Sequence, residues 1–163
     1  MTNNQPINYE TQTNQEAKNK ALPFEVEKGW TAMPNSLYTV YLKHPEMNST
    51  ALAVYGYLLR LYNTSYGYAY PTLPELAIAL GVSVSTAQTS IAKLRKVELI
   101  KSRYSVRYNN NTYTFPPVVE TIEELEVKFP EIKPHLQKLE KSAERIRKKA
   151  EDDKQRLRNK RAQ

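Results

Sequence analysis

The sequence predicts a mainly α-helical protein with one small β-hairpin, an α+β arrangement that ends in a charged C-terminal helix. Three observations predict it. Apolar residues recur at helical spacing after Asn48, two short helical patterns flank Gly81, and β-prone runs flank the asparagine triplet 109–111. The expected order is a helix, a short extended segment, two helices around the glycine, and the hairpin.

The first helix is expected to begin after Asn48 or Ser49, because either side chain can accept a hydrogen bond from the free backbone N–H groups of a first turn. It should end near Asn63, where residues 64–67 have the composition of a turn. One side of this helix is predicted to be buried, since apolar residues recur there in steps of three and four: Leu52, Tyr55, Leu59 and Tyr62.

Two shorter helices follow. Thr72 and Glu75 form a capping box for the first of them, with Pro74 tolerated in the first turn. Gly81 is expected to end it, because glycine adopts a positive φ at little cost. Ser83 or Ser85 can cap the next helix, whose predicted buried face carries Ala87, Ile91 and Leu94.

The hairpin is predicted from a strand over 100–108, a turn over 109–111 and a returning strand over 112–115. With a two-residue period, Arg103, Ser105 and Arg107 share one face of the first strand. Tyr104 and Val106 take the other face, which we expect to be half-buried.

This order of elements is that of a winged helix, in which the two helices around Gly81 form a helix-turn-helix and the hairpin is the wing. Its second helix fits the DNA major groove, where each base pair shows its own pattern of donors, acceptors and methyl groups. Gln88 can pair with adenine, and Val84 can contact a thymine methyl group. The predicted recognition residues are Ser83, Val84, Ser85, Thr86, Gln88, Thr89 and Lys93.

Basic side chains flank this helix and continue into the wing. Phosphate or minor-groove contacts from such residues give affinity that depends on salt but little on sequence. The chain has a net charge of +7, and residues 29–116 hold eight basic against three acidic side chains. The predicted phosphate and wing contacts are Arg95, Lys96, Lys101, Arg103 and Arg107.

The chain divides by composition into three parts. Residues 1–28 are polar and are predicted to be a disordered tail, and residues 29–116 form the winged helix-turn-helix domain. Residues 117–163 are expected to be helical, acidic up to 129 and basic afterwards, with twelve basic residues against six acidic ones from 130. The apolar residues from Leu136 to Leu157 are too sparse for a sustained heptad repeat. This favours a single helix that is frayed in part and carries ion pairs between its side chains.

Several classes of function find little support. The chain has no cysteine, and its histidines, His44 and His135, are far apart and expected at the surface. No carboxylate pair, phosphate-binding loop or metal-ligand spacing is present, so we expect no catalytic residue, metal or cofactor. The longest apolar stretch, 51–61, is too short to span a bilayer, which predicts a cytoplasmic protein without a membrane partner. The twelve tyrosines also permit stacking on single strands, a less favoured alternative.

Residues 30–100 resemble the N-terminal DNA-binding domain of phage replication proteins of the lambda O type and of related plasmid initiators. The resemblance lies in Met33–Tyr38, in Leu52–Arg60, in the Tyr66-Gly67 pair and in the helix-turn-helix up to Ile100. It implies a winged helix that binds repeats in a replication origin, with a C-terminal region that recruits a helicase or its loader.

Three hypotheses therefore stand beside one another. The first is a sequence-specific binder of double-stranded DNA in the replication initiation of a phage or plasmid. The second is a winged-helix repressor of a mobile element, and the third is an interaction protein that uses the winged helix as a platform for another protein. Homodimerisation is a further expectation, because repeated sites are usually read by more than one copy, and the basic tail is a candidate surface for a replication partner.

Overall fold

The computed structural model describes residues 29–161, and the predicted tail 1–28 lies outside this range. The described part is mainly helical with one two-stranded antiparallel hairpin, which confirms the predicted fold class. Short 3-10 turns occupy Tyr41–Lys43 and Pro130–Ile132. The regular elements are α1 (Ser36–Thr39), α2 (Ser49–Arg60), α3 (Leu73–Leu80), α4 (Val84–Lys96), β1 (Lys101–Ser105), β2 (Asn110–Thr114), α5 (Ile122–Lys128) and α6 (Lys133–Arg161).

The first predicted helix is α2, and Asn48 caps it by accepting a 2.8 Å hydrogen bond from the N–H of Ala51. Leu52 and Tyr55 are buried as predicted. The prediction that Tyr62 belongs to the core is wrong. Because α2 ends at Arg60, the Tyr62 ring leaves the helical stripe and packs edge-on against Phe115 at the surface.

The turn between α3 and α4 has the predicted local chemistry. Thr72 and Glu75 form both hydrogen bonds of the capping box, and Gly81 ends α3 in the left-handed conformation at φ 64° and ψ 34°. Ala77 and Ala87 are both buried at the contact of the two helices. Their small side chains allow α3 and α4 to approach closely, which fixes the orientation of α4.

The hairpin pairs β1 with β2 from Lys101↔Thr114 to Ser105↔Asn110. A bridge between Ala69 and Tyr113 ties it to the extended segment after α2. The turn lies at 106–109, so the predicted turn at 109–111 is wrong and begins three residues too late. Asn109 alone of the asparagine triplet lies in the turn, at φ 47°, and the next two belong to β2.

The predicted alternation of the wing is also wrong. Tyr104 and Val106 were expected on the half-buried face, but their side chains are 57% and 87% exposed. Arg107 lies in the turn and not on the strand with Arg103. A two-residue period holds only while the chain stays extended and one face has a partner, and this strand ends at Ser105 with both faces largely open.

The chain after the wing packs against the same core. The N–H of Val119 donates to Tyr41 Oη at 3.1 Å, and α5 buries Leu125. This helix begins at Ile122, because Thr121 and Glu124 form a capping box there, so the expectation of a helical chain from residue 117 is wrong for its first five residues. The expectation of a surface His44 is wrong: its side chain is 4% exposed and lies against Phe129.

Helix α6 runs for 29 residues and buries Leu136 near its start. In the described part of the chain, side-chain ion pairs join Lys96 to Glu46 and Lys128 to Glu98. Neither pair lies within α6, so the expected ion pairs along this helix are not found among the described residues. None of the helices over 29–161 combines the length and the apolar character that a bilayer crossing requires.

Candidate nucleic-acid interface

The burial of one side of α4 leaves the opposite side open. Ala87, Ile91 and Leu94 are buried as predicted, and Ser90 is buried beside them. Since these four side chains occupy one half of the helix, the residues half a turn away must face outwards. Those exposed residues are Val84, Ser85, Thr86, Gln88, Thr89, Ala92, Arg95 and Lys96.

Two of the predicted recognition residues already have partners in the protein. Ser83 is the N-cap of α4, and its Oγ accepts a hydrogen bond from the N–H of Thr86 at 3.0 Å. The two hydroxyl oxygens, Ser83 Oγ and Thr86 Oγ1, are 2.8 Å apart and share a second hydrogen bond. Ser83 and Thr86 therefore fix the start of the helix.

The remaining polar side chains of this face are available for a partner. Ser85, Gln88 and Thr89 are exposed, and their side chains form no hydrogen bond to other residues within the described range. Val84 presents its methyl groups beside them. A helix with a short amide, hydroxyls and methyl groups on one open side offers the donors, acceptors and apolar contacts that read base edges.

A shallow cleft of about 180 Å³ separates α4 from the start of α2. Asn48 and Thr50 line one wall, and Thr89 and Lys93 line the other. Lys93 is half-buried where it lines this cleft. The sequence analysis missed Thr50, because no local signal places the start of α2 beside α4.

Lys96 has a partner of its own. Its Nζ donates a hydrogen bond to Glu46 Oε1, and this hydrogen bond lowers the pKa of the Glu46 carboxyl below its usual value. The predicted phosphate contact from Lys96 therefore competes with an existing ion pair. Arg95 is exposed and forms no ion pair with the described residues.

Positive charge is concentrated along α4 and the wing. Six of the eight basic residues of 29–116 fall between 93 and 107, together with a single acidic residue, Glu98. Glu98 forms an ion pair with Lys128, which lies outside the stretch 93–107. Lys101 and Arg103 are exposed on β1 and line a groove of about 630 Å³ with Tyr104. Arg107 projects from the turn, with its Cζ 5.6 Å from the centre of the Tyr108 ring.

Four tyrosines form a cluster at the base of the wing. The rings of Tyr70 and Tyr108 are stacked with centroids 4.8 Å apart, and Tyr66 stacks on Tyr68 at 5.9 Å. Tyr68 Oη and Tyr108 Oη are 3.1 Å apart, and this hydrogen bond raises the pKa of Tyr68. Because the rings contact one another, the cluster braces the wing against the segment after α2.

Comparison with known families adds one assignment. Residues 46–100 match the helix-turn-helix domain family. This helix-turn-helix domain spans α2, α3 and α4 and ends where β1 begins, so the wing lies immediately after it. No curated protein matches the chain.

Two solved structures show distant similarity to the chain. One is a protein of Methanosarcina mazei Go1 described as a possible transcriptional regulator, with 15% identity over 77% of this chain and 98% of that one and a TM-score of 0.39. The other is a mutant form of ZitR from Lactococcus lactis, with 18% identity over 95% of this chain and 93% of that one and a TM-score of 0.33. The helix-turn-helix domain is supported by the family match over residues 46–100 and by the geometry of its helices, and these two distant structures add no support.

Proposed function

We propose that the protein binds double-stranded DNA by laying the exposed side of α4 in the major groove, with the wing against the adjacent backbone. The observation that carries the proposal is the open polar face of the second helix of a helix-turn-helix domain, bordered by most of the domain's positive charge. Counter-ion release by these basic groups supplies affinity, and the polar face supplies sequence preference.

Within this proposal the residues divide into two groups. Gln88, Ser85, Thr89 and Val84 contact base edges, because they are exposed and uncommitted. Ser83 and Thr86 fix the start of α4, and their hydroxyl groups contact phosphate and not base edges. The phosphate and wing contacts are Lys93, Arg95, Lys101, Arg103 and Arg107, with Lys96 joining when it releases Glu46.

We propose a binding role without catalysis, in the cytoplasm. The biological setting that we favour is replication initiation of a phage or plasmid, on the resemblance of residues 30–100 to origin-binding domains; the alternative is repression at a promoter of a mobile element. The C-terminal region is the candidate contact for a replication partner. A map of bound sites in the native replicon separates the two settings: tandem repeats in an origin support the first, and an operator over a promoter supports the second.

The test of DNA binding is a selection from random duplexes, followed by affinity measurements at several salt concentrations. We expect an enriched site and a log Kd that rises linearly with log salt concentration. A variant that neutralises Lys93, Arg103 and Arg107 should bind more weakly and with a shallower salt slope. An unchanged affinity and slope in this variant would exclude groove docking and favour the protein-platform hypothesis.

A further inference from the structure

Helix α6 carries an apolar seam that the described structure leaves open beyond its first turns. When the small alanines are counted with the larger residues, the seam continues in alternating steps of three and four. Among the described residues, no element covers it after Ala143, and Ile146 and Leu157 are 70% and 59% exposed. The seam consists of Leu136, Leu139, Ala143, Ile146, Ala150 and Leu157, and it is interrupted at one position by the acidic Asp153.

The first half of this seam forms the floor of a groove of about 620 Å³ between α5 and α6. Its floor includes Ile122, Leu139 and Ala143, and carboxylates stand along its walls. Glu123 and Glu126 border it on α5, and Glu140 and Glu144 do so on α6, against two basic lining residues, Lys43 and Arg147. An apolar floor with a surplus of carboxylates along its walls fits an amphipathic helix whose flanks are basic.

The second half of α6 is itself an amphipathic helix with basic flanks. Residues 145–159 hold seven basic and three acidic side chains, and they carry Ile146 and Leu157 on the seam. By contrast, residues 117–144 hold seven acidic and four basic side chains. The charge therefore reverses along the C-terminal region, so that each end complements the other.

We propose that a second copy of this chain covers the seam, with the two α6 helices antiparallel. A two-fold axis near residue 148 brings the basic half of each helix into the acidic groove of the other, and both grooves are filled by one symmetric contact. In this register Leu139 faces Leu157 of the partner subunit, and Ile146 faces Ala150 of the partner subunit. Twenty-nine helical residues are about 43 Å long, enough for both halves to pair.

The flanking charges favour the antiparallel direction. A parallel pair sets Lys149 beside Lys154 of the partner subunit, which is repulsive. The antiparallel pair instead sets Glu140 beside Lys154 of the partner subunit, twice by symmetry. At the centre Arg147 and Lys149 each meet their own copy, and carboxylates on the same helix lie within about one turn of them: Glu144, Glu151, Asp152 and Asp153. This proposal does not rest on DNA binding.

The first test is the oligomeric state of the full chain by sedimentation equilibrium. We expect a concentration-dependent dimer, and Ile146→Asp should make it monomeric without loss of helix by circular dichroism. The matched control is Val106→Asp, an apolar residue on the wing tip that is more exposed than Ile146, and this variant should stay dimeric. A monomeric wild-type chain, or a dimer that Ile146→Asp leaves intact, would overturn the proposal.

The direction of the helices is tested by cysteine cross-linking, because the chain has no cysteine of its own. An equimolar mixture of Leu139→Cys and Leu157→Cys chains should form a mixed disulfide under mild oxidation. Leu139→Cys alone should form little disulfide, since its copies are far apart in the antiparallel pair. Efficient cross-linking of Leu139→Cys alone would indicate a parallel dimer and contradict the proposed register.

A charge exchange tests the groove contact. Glu140→Lys and Lys154→Glu should each weaken the dimer about tenfold, because each creates two like-charge contacts by symmetry. The double variant should recover the wild-type dissociation constant. Lys148→Glu, on the outer side of α6, is the control and should have no such effect. Failure of the double variant to recover would rule out this pairing of Glu140 with Lys154 of the partner subunit.

Discussion

The imidazole of His44 stands edge-on to the phenyl ring of Phe129, with centroids 5.0 Å apart and planes at 83°. This contact joins the turn before α2 to the end of α5, so it holds the C-terminal segment against the core of the helix-turn-helix domain. The Nδ1 of His44 accepts a hydrogen bond from the N–H of Glu46 at 3.1 Å. Its Nε2 is buried without a hydrogen-bond partner among the described residues.

The first prediction concerns the pH dependence of stability. Burial lowers the pKa of His44 below 6.5, and this outweighs Glu46 and Glu131, which raise it. The unfolded chain therefore binds a proton more readily, and the contribution of neutral His44 to stability is present above about pH 6.5 and is lost as the pH falls through the lowered folded pKa. Urea unfolding should show a free energy of unfolding that falls as the pH is lowered below about 6.5.

The variant His44→Asn removes the titrating group and keeps an acceptor for the Glu46 N–H. We expect it to be less stable than the wild type near neutral pH, since it loses the contact with Phe129, and to show a shallower slope over the same pH range. An equal slope in both proteins would mean that other groups cause the acid destabilisation.

The second prediction concerns Gly81. Its φ of 64° is costly for a residue with a Cβ, and an added Cβ would meet no atom within 4 Å, so the cost of Gly81→Ala comes from the backbone alone. We expect a loss of about 1 kcal/mol in the free energy of unfolding. Gly81→Asn is the matched control and should lose less, because asparagine tolerates this conformation better than alanine. Equal losses would argue against the conformational explanation.

The third prediction concerns Gln88, the exposed amide at the middle of the open face of α4. Gln88→Ala should lower affinity for the selected duplex by about 1–3 kcal/mol and relax the preference at one base pair, with little effect on binding to unrelated DNA. Gln155→Ala, an exposed glutamine on α6, is the control for a nonspecific effect. An equal loss on all sequences would assign Gln88 to backbone contact.

The fourth prediction concerns the wing. Arg103→Gln and Arg107→Gln should each weaken binding to all duplexes alike and reduce the salt slope by about 1, because each removes one phosphate contact. Arg60→Gln is matched in charge and lies about 15 Å along α2 from Thr50, at the far end from the cleft beside α4. If Arg60→Gln changed the slope as much as the wing variants do, the effect would be one of net charge.

The local signals in the sequence predicted the elements that local chemistry controls. Asn48, Thr72 and Ser83 are caps in the structure because their side chains accept hydrogen bonds from backbone N–H groups three residues later. Gly81 ends α3 for an equally local reason. The exposed face of α4 followed from its buried face, since the helical period fixes both at once.

Other predictions failed where the answer depends on distant parts of the chain. The asparagine triplet suggested the wing turn at 109–111, but pairing with β1 and the hydrogen bond from Asn110 Nδ2 to the carbonyl of Tyr70 place Asn110 in a strand. His44 is buried because Phe129, which lies far along the chain at the end of α5, covers it. Neither contact has a signal within a window of neighbouring residues.

The sequence by itself determined helices α2, α3 and α4, their caps, the glycine turn and the stretch of chain from 93 to 107 that holds the positive charge, because each depends on interactions within one or two turns. Only the tertiary structure decided which of those groups are free. It paired Lys96 with Glu46, turned Tyr104 and Val106 outwards, brought Thr50 beside Lys93 and left the seam of α6 uncovered. The physical reason is that exposure and pairing are set by what packs against a residue, and those neighbours lie far away along the chain.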